Sequence, residues 1–112
     1  MNGLLSGKRI VVTGAARGLG YHFASACAEQ GAAVVMCDIL EGELAESAHA
    51  LSERGYAIEP HVIDLADPRS IERVFSTVGE QGHIDGLVNN AAMATGVAAK
   101  TCLITIRISG IG

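Results

Sequence analysis

The sequence lacks tryptophan, and its other aromatic residues and its cysteines are few. Two Phe and two Tyr make up the 4% aromatic content of the 112 residues, so the core must be built from Val, Ile, Leu and Ala. The three cysteines, Cys27, Cys37 and Cys102, are odd in number and form no Cys-x-x-Cys pair. This pattern does not suggest a disulfide framework, and it indicates buried, reduced thiols.

Long apolar runs and clusters of positive charge are also missing. No apolar run approaches the ~18 residues of a membrane-spanning helix, and the first residues lack the basic, apolar and small regions of a signal peptide. The net charge is a mild −4, with no basic stripe for nucleic acid or for an anionic membrane surface. We therefore expect a cytoplasmic protein whose partners include neither nucleic acid nor a membrane.

What is present is the composition of a small packed domain, with 49% apolar and 18% charged residues. Short β-branched runs alternate with stretches of helical composition. The strands are predicted at 8–13, 32–37, 56–63 and 84–88, and the helices at 18–30, 42–54 and 68 to about 82. This alternation is typical of a Rossmann-type α/β fold, here an incomplete parallel sheet of about four strands with helices on both faces.

Local patterns also predict how these elements begin and which side chains they bury. Asp67 is the expected N-cap of the third helix, with Pro68 at its first position. The four strands are rich in apolar residues, so we expect both faces of each strand to be covered. The face of the first helix that we expect to be buried comprises Leu19, Phe23, Ala26 and Cys27.

The last stretch of the chain has a different pattern. Residues 94–100 are small and featureless, and Ile104, Ile106 and Ile108 then alternate with polar residues. Such alternation indicates a strand with one face toward water. We therefore divide the chain into a half-domain at 1–93 and an atypical tail at 94–112, with a candidate edge strand at 102–109.

The junction between the first strand and the first helix carries three glycines, in the order Gly14-x-x-x-Gly18-x-Gly20. A pyrophosphate needs backbone that approaches it closely, and a helix N-terminus offers free N–H groups with partial positive charge. We expect Gly14 to make the tight turn, Gly18 to allow close approach and Gly20 to pack helix on strand. Arg17 and Leu19 lie between them. Glycines also mark turns that bind nothing, but this position favours a nucleotide site.

Asp38 closes the second strand, and Ile39 follows it. A carboxylate at this position accepts hydrogen bonds from the ribose hydroxyls of an adenosine and repels the additional phosphate of NADP. Arg17 in the glycine-rich loop offers a phosphate some positive charge, but Ile39 is not basic. We therefore predict NAD as the cofactor in preference to NADP. The alternative is a solvated carboxylate at a strand end.

Two further motifs follow the third and fourth strands: Asp64-Leu65 and Asn89-Asn90-Ala91-Ala92. Together with the glycine motif and the acid after the second strand, they resemble the short-chain dehydrogenase/reductase family over about residues 5–97. The resemblance implies that Asp64 contacts the adenine amino group, with the main chain of Leu65 beside it. It also implies that Asn90 and Ala91 line the adenosine ribose, and that Asn89 joins the central strands.

The chemistry of that family implies a catalytic Tyr, a Lys four residues later, and a supporting Ser and Asn. In this sequence Tyr21 is followed four residues later by Ser25, and Tyr56 by Pro60. We therefore assign no catalytic residue and expect the chain to end before the family's catalytic half. The histidines have no metal-ligand spacing, so no metal site is predicted. The solvated face of the second helix is expected to carry Glu41, Glu43 and Glu46.

The sequence thus predicts that residues 1–93 are the NAD-binding portion of a short-chain oxidoreductase acting on a hydroxyl or carbonyl substrate, inactive alone. Two alternatives stay open: a non-enzymatic nucleotide-binding or regulatory α/β module, and one half of a split enzyme. A phospho-receiver domain is one such module, but it needs paired acids where this chain has Gly14-Ala15-Ala16. Because the fourth strand ends an incomplete sheet, we also expect self-association through its edge.

Overall fold

The computed structural model describes residues 3–90 and, near the end of the chain, one further strand. In this part of the chain the elements follow in the order β1 (Arg9–Thr13), α1 (Gly18–Glu29), β2 (Ala33–Asp38), α2 (Glu41–Glu53), β3 (Ile58–Val62), α3 (Pro68–Glu80), β4 (Gly86–Asn89) and β5 (Thr105–Ile108). The predicted strands and helices before residue 90 are confirmed, with their ends displaced by at most two residues.

The strands form one sheet in the order β3-β2-β1-β4-β5. The first four are parallel, which confirms the Rossmann-type fold, and β5 is antiparallel to β4, with Val88 opposite Ile106. The candidate edge strand at 102–109 is therefore confirmed over Thr105–Ile108, while its remaining residues lie outside the described part of the chain. β4 is consequently paired on both sides, and the edge expected there is occupied by the chain's own tail.

Two apolar layers cover the sheet, one on each face. Alternate residues of β1 divide between them: Ile10 and Val12 pack with α1 and α2, whereas Val11 packs with α3. The second layer also contains Val74 and Val78 of α3. Because successive side chains of a strand point to opposite faces, a continuous apolar run such as that of β1 needs helices on both sides.

The first and third helices differ in how well the sequence predicts them. α3 begins as expected: Asp67 accepts a hydrogen bond of 3.0 Å from the backbone N–H of Arg69, and Pro68 occupies the first position. The expected face of α1 is confirmed only in part: Phe23 and Cys27 are partly buried and pack against the core, but Leu19 is 51% exposed and Ala26 is exposed. The fully buried residues of α1 are small: Gly20, Ala24 and Ala28. At Gly20, α1 lies so close to its neighbours that a side chain does not fit.

The expectation that all four parallel strands are covered on both faces is wrong for β3. The strand order leaves β3 at an edge of the sheet, and its Pro60 and Val62 are exposed. Pro60 lies opposite Met36 of β2 and has no N–H to donate, which an edge strand tolerates. Apolar content does not indicate which strand stays at an edge, because that depends on the crossover topology.

Arg9 links three elements at the amino ends of the parallel strands. Its guanidinium donates to the carbonyls of Val78 at 2.6 Å and Gly82 at 3.1 Å, and to the carboxylate of Glu59 at 3.1 Å. His61 lies 2.6 Å from Glu59. Burial by itself raises the pKa of Glu59, but the hydrogen bonds and positive charges of His61 and Arg9 together lower it below its ordinary value. The network joins β1 and β3 to the end of α3.

Of the cysteines in the described residues, Cys27 is partly buried and Cys37 is buried, and both are free thiols. Burial raises the pKa of Cys37 to about 12, and the negative charges of Glu59 and Asp38 add to this effect. Cys37 is therefore protonated and unreactive at neutral pH, as befits a core residue. Cys102 lies outside the described residues.

Candidate nucleotide-binding site

The carboxyl ends of β1, β2 and β4 meet at one edge of the sheet. From β1 the chain first winds through α1 and α2 on one face, and α3 then crosses the other face to reach β4 on the far side of β1. In open α/β sheets, ligands bind in the crevice at this point of reversal, beyond the strand ends. Thr13 and Asn89 lie opposite each other there.

The glycine-rich loop, residues 14–20, leads from β1 into α1 at this crevice. Gly14 and Gly18 have φ angles of 65° and 61°, in the left-handed region where a side chain is strained. α1 starts at Gly18, and the preceding Arg17 provides no side-chain cap. The first N–H groups of α1 are thus left to an acceptor from outside the helix, and the helix dipole adds positive potential.

Gly20 lies where three parts of the chain approach each other. A Cβ at this residue would lie 1.9 Å from the carbonyl oxygen of Gly14 and 2.7 Å from Nδ2 of Asn90. Both distances are far inside van der Waals contact, so only glycine fits. The sequence suggested packing of helix on strand, but the structure places Gly20 against the loop and against the residue that follows β4.

Asp38 is buried at the end of β2, with 9% exposure. Its Oδ2 accepts a hydrogen bond of 2.9 Å from the backbone N–H of Ala16, and its Oδ1 accepts one of 3.0 Å from that of Leu40. The carboxylate therefore holds the glycine-rich loop against β2, a role that the sequence did not indicate. Each carboxylate oxygen can accept a second hydrogen bond, so these contacts leave capacity for ribose hydroxyls.

A polar contact joins the ends of β1 and β4. The hydroxyl of Thr13 donates to Oδ1 of Asn89 at 2.8 Å and accepts from the backbone N–H of Asn90 at 3.1 Å. Thr13 and Asn90 are both buried. This is the kind of contact between central strands that the resemblance implies for Asn89. Thr13 was not among the expected site residues, although it directly precedes the first glycine of the motif.

Two side chains of α2, one turn apart, reach the glycine-rich loop. Ser47 Oγ donates to the carbonyl of Ala16 at 2.5 Å, and Glu43 Oε1 lies 3.6 Å from Nη1 of Arg17. The three acids of the predicted solvated face are all exposed, as expected, but Glu43 also forms this ion pair. Sequence reasoning missed Ser47, because a serine on a half-buried helix face carries no motif of its own.

Apolar and acidic side chains flank this edge of the sheet. Leu19 is 51% exposed at the start of α1, and Ile39 is 58% exposed just after β2. Single exposed apolar residues are ordinary on protein surfaces, so only their position beside the strand ends makes them candidates for ligand contact. Asp64 and Leu65 follow β3 and are half-buried, and Oδ1 of Asp64 accepts a hydrogen bond of 2.9 Å from the N–H of Ala66.

The structure thus places Asp38 and Asn90 each against the glycine-rich loop, and it places Asp64 and Leu65 at the end of strand β3. Ala91 lies outside the described residues. Within residues 3–90 and 105–108, no three His, Cys, Asp or Glu side chains are grouped as metal ligands. No helix of that part of the chain is long and apolar enough to cross a membrane.

Comparisons with known proteins agree with this geometry. The family model described as short chain dehydrogenase matches residues 8–107. Galactitol 2-dehydrogenase of Agrobacterium fabrum is 43% identical over 90 residues, which are 80% of this chain and 34% of that protein. The chain spans about a third of the length of the curated relatives it matches.

Two solved structures carry a cofactor. One is a short chain dehydrogenase/reductase from Burkholderia phymatum in complex with NAD, with a TM-score of 0.76 and 30% sequence identity. The match covers 80% of this chain and 32% of the Burkholderia chain. The other is a gluconate 5-dehydrogenase from Burkholderia cenocepacia in complex with NADP and tartrate, with a TM-score of 0.73 and 35% sequence identity. The match covers 81% of this chain and 36% of the dehydrogenase chain. Proteins similar to this chain therefore bind either dinucleotide.

Proposed function

The chain belongs to the short chain dehydrogenase family of oxidoreductases, and on that premise we propose that it binds NAD, in preference to NADP, through the adenosine half of the cofactor. The observation that carries the proposal is the close approach at Gly20, where α1, the loop and the end of β4 leave no room for a Cβ. Such packing brings backbone N–H groups to the strand ends, where a pyrophosphate needs them.

The residues around this point fit a dinucleotide. Gly14 and Gly18 adopt the backbone conformation that a close turn requires, and the start of α1 offers N–H groups to a phosphate. Asp38 faces the loop with acceptor capacity for the adenosine ribose. From the family resemblance, we assign Asp64 and Leu65 to the adenine and Asn90 and Ala91 to the ribose. Leu19 and Ile39 add exposed apolar surface beside them.

The preference for NAD rests on charge. An additional phosphate on the ribose would approach the buried carboxylate of Asp38, which has no cation beside it among its hydrogen-bond donors. Ile39 brings no positive charge, and Arg17 is already paired with Glu43. Repulsion between like charges in a partly buried site costs more than in water, so we expect NADP to bind more weakly.

We propose further that the residues of this sequence bind the cofactor and do not supply the family's catalytic phenol. Neither Tyr21 nor Tyr56 has the Lys four residues later that tunes that phenol. Action on a hydroxyl or carbonyl substrate is what membership of the family suggests, and it stays a proposal. A cytoplasmic location and a domain boundary at residue 93 stay predictions.

Calorimetric titration with NADH and NADPH tests the cofactor assignment. We expect NADH to bind more tightly, and Asp38→Ala to weaken it by about tenfold or more, since hydrogen bonds to a charged group are lost. Asp38→Asn removes the charge and keeps one acceptor oxygen, so it should shift the preference toward NADPH. Glu46→Gln makes the same charge change on exposed α2 and should leave both affinities unchanged. A chain that is folded by circular dichroism and binds neither cofactor would contradict the proposal.

Self-association is proposed as well, through the sheet edge. β3 is a poor partner for another chain, because Pro60 has no N–H to donate and the neighbouring Glu59 and His61 are polar. Association is therefore expected at the other end of the sheet, beside β5. Sedimentation velocity over a range of concentrations would show a species that grows with concentration, whereas a concentration-independent monomer would refute this expectation.

A further inference from the structure

One residue of the glycine-rich loop is held from two sides, by Asp38 of β2 and by Ser47 of α2. Ala16 is buried, with 3% exposure. Its N–H donates to Asp38 at 2.9 Å, and its carbonyl accepts from the Ser47 hydroxyl at 2.5 Å. Both backbone polar groups of this buried residue are therefore satisfied by side chains from other elements, where a regular strand or helix would use backbone partners.

These two contacts fix the orientation of consecutive peptide planes. In a planar trans peptide, the C=O and the following N–H point in opposite directions. By holding the carbonyl of Ala16, Ser47 also directs the N–H of Arg17 away from α2. Asp38 orients the preceding plane through the N–H of Ala16. Both planes belong to the loop that leads into α1, which begins at Gly18.

We infer that Ser47 is a positioning residue for the dinucleotide site, an inference that rests on the proposed function. Ser47 acts through Ala16: it orients the loop whose N–H groups meet the ribose and phosphates. Without its hydroxyl, a buried carbonyl loses its partner and the loop adopts other orientations. Because no charge changes, the affinities for NADH and NADPH fall by the same factor, unlike the effect of altering Asp38.

Serine variants of α2 provide a matched test. Ser47→Ala is expected to weaken binding of NADH and NADPH alike, about five- to tenfold. Ser47→Thr retains the hydroxyl and should restore affinity. Ser52→Ala removes an exposed hydroxyl near the carboxyl end of the same helix and should have no effect. Wild-type affinity in Ser47→Ala, or an equal loss in Ser52→Ala, would overturn the role assigned to Ser47.

A second measurement needs no ligand. In the free protein, the backbone amide resonance of Arg17, whose N–H shares a peptide plane with the carbonyl that Ser47 holds, should shift in Ser47→Ala and stay in place in Ser52→Ala. If the wild-type protein bound neither cofactor, the proposed function would fail, and this resonance would still decide the positioning of the loop. An unmoved Arg17 amide in Ser47→Ala refutes the inference.

Discussion

Replacing Gly20 by alanine tests the close approach on which the candidate site depends. The new Cβ would lie 1.9 Å from the carbonyl oxygen of Gly14, whereas real Cβ atoms essentially never come within 3.0 Å of such an atom. The start of α1 and the loop must therefore separate by about 1 Å. That movement also pushes against Asn90, whose Nδ2 would lie 2.7 Å from the Cβ.

The expected cost follows from two opposing effects. Overpacking of a tightly packed site destabilises a protein by about 1–3 kcal/mol, while alanine is a better helix former than glycine by about 1 kcal/mol. The difference is a net decrease of about 0–2 kcal/mol in the free energy of unfolding for Gly20→Ala. Gly42 and Gly79 also lie in helices, but a Cβ at either one meets nothing within 4 Å. Alanine there should stabilise by about 0.5–1 kcal/mol.

Urea denaturation followed by circular dichroism, together with titration of NADH, provides the measurements. Gly20→Ala should lower both stability and NADH affinity, the latter by about tenfold or more, because a displacement of ~1 Å misplaces the loop N–H groups. Gly42→Ala and Gly79→Ala should bind NADH as the wild type does. If Gly20→Ala matched these two controls in stability and in affinity, the result would refute the close packing of α1 against the loop.

Two further predictions concern charge. Glu43→Gln frees Arg17 for a phosphate, so the affinity for NADPH relative to NADH should rise about two- to fivefold. The change is modest because the ion pair is exposed. An unchanged ratio of the two affinities in calorimetry would argue against a role of Glu43 in cofactor preference. Glu59 has a lowered pKa when folded, so its contribution to stability is present above the ordinary value of 4.5 and is lost as the pH falls through the lowered pKa. In Glu59→Gln, the free energy of unfolding should therefore decrease less steeply with falling pH below about pH 5. Glu46→Gln should show the same decrease as the wild type. Equal pH dependence in the two variants would count against the network around Arg9.

The sequence could predict those parts of the candidate site in which the local backbone conformation requires one particular residue type. The glycine spacing indicates a turn and a close approach wherever the loop lies, and Gly14 and Gly18 do have positive φ angles. Asp67 before Pro68 indicates a helix start, and the cap is present. Neither prediction needs knowledge of distant residues.

Other features depend on residues far apart in the chain. The large residues of α1 predicted a buried face, yet the close packing at Gly20 turns the small residues inward. Glu43 gave only the pattern of a solvated face, and its pairing with Arg17 depends on how α2 crosses the sheet. Ser47 carries no local signal at all, because its partner, the carbonyl of Ala16, is a group that every residue possesses.

The sequence by itself determined the alternation of strands and helices, the place of the glycine-rich turn, and the acid that closes β2, because backbone conformation and burial periodicity are local properties. Tertiary structure alone decided that β3 is an edge strand and that Thr105–Ile108 pairs antiparallel with β4. It also decided that Asp38 accepts a hydrogen bond from the glycine-rich loop. These outcomes depend on which segments the crossovers bring together, and hydrogen bonds between such segments leave no regular spacing in the sequence.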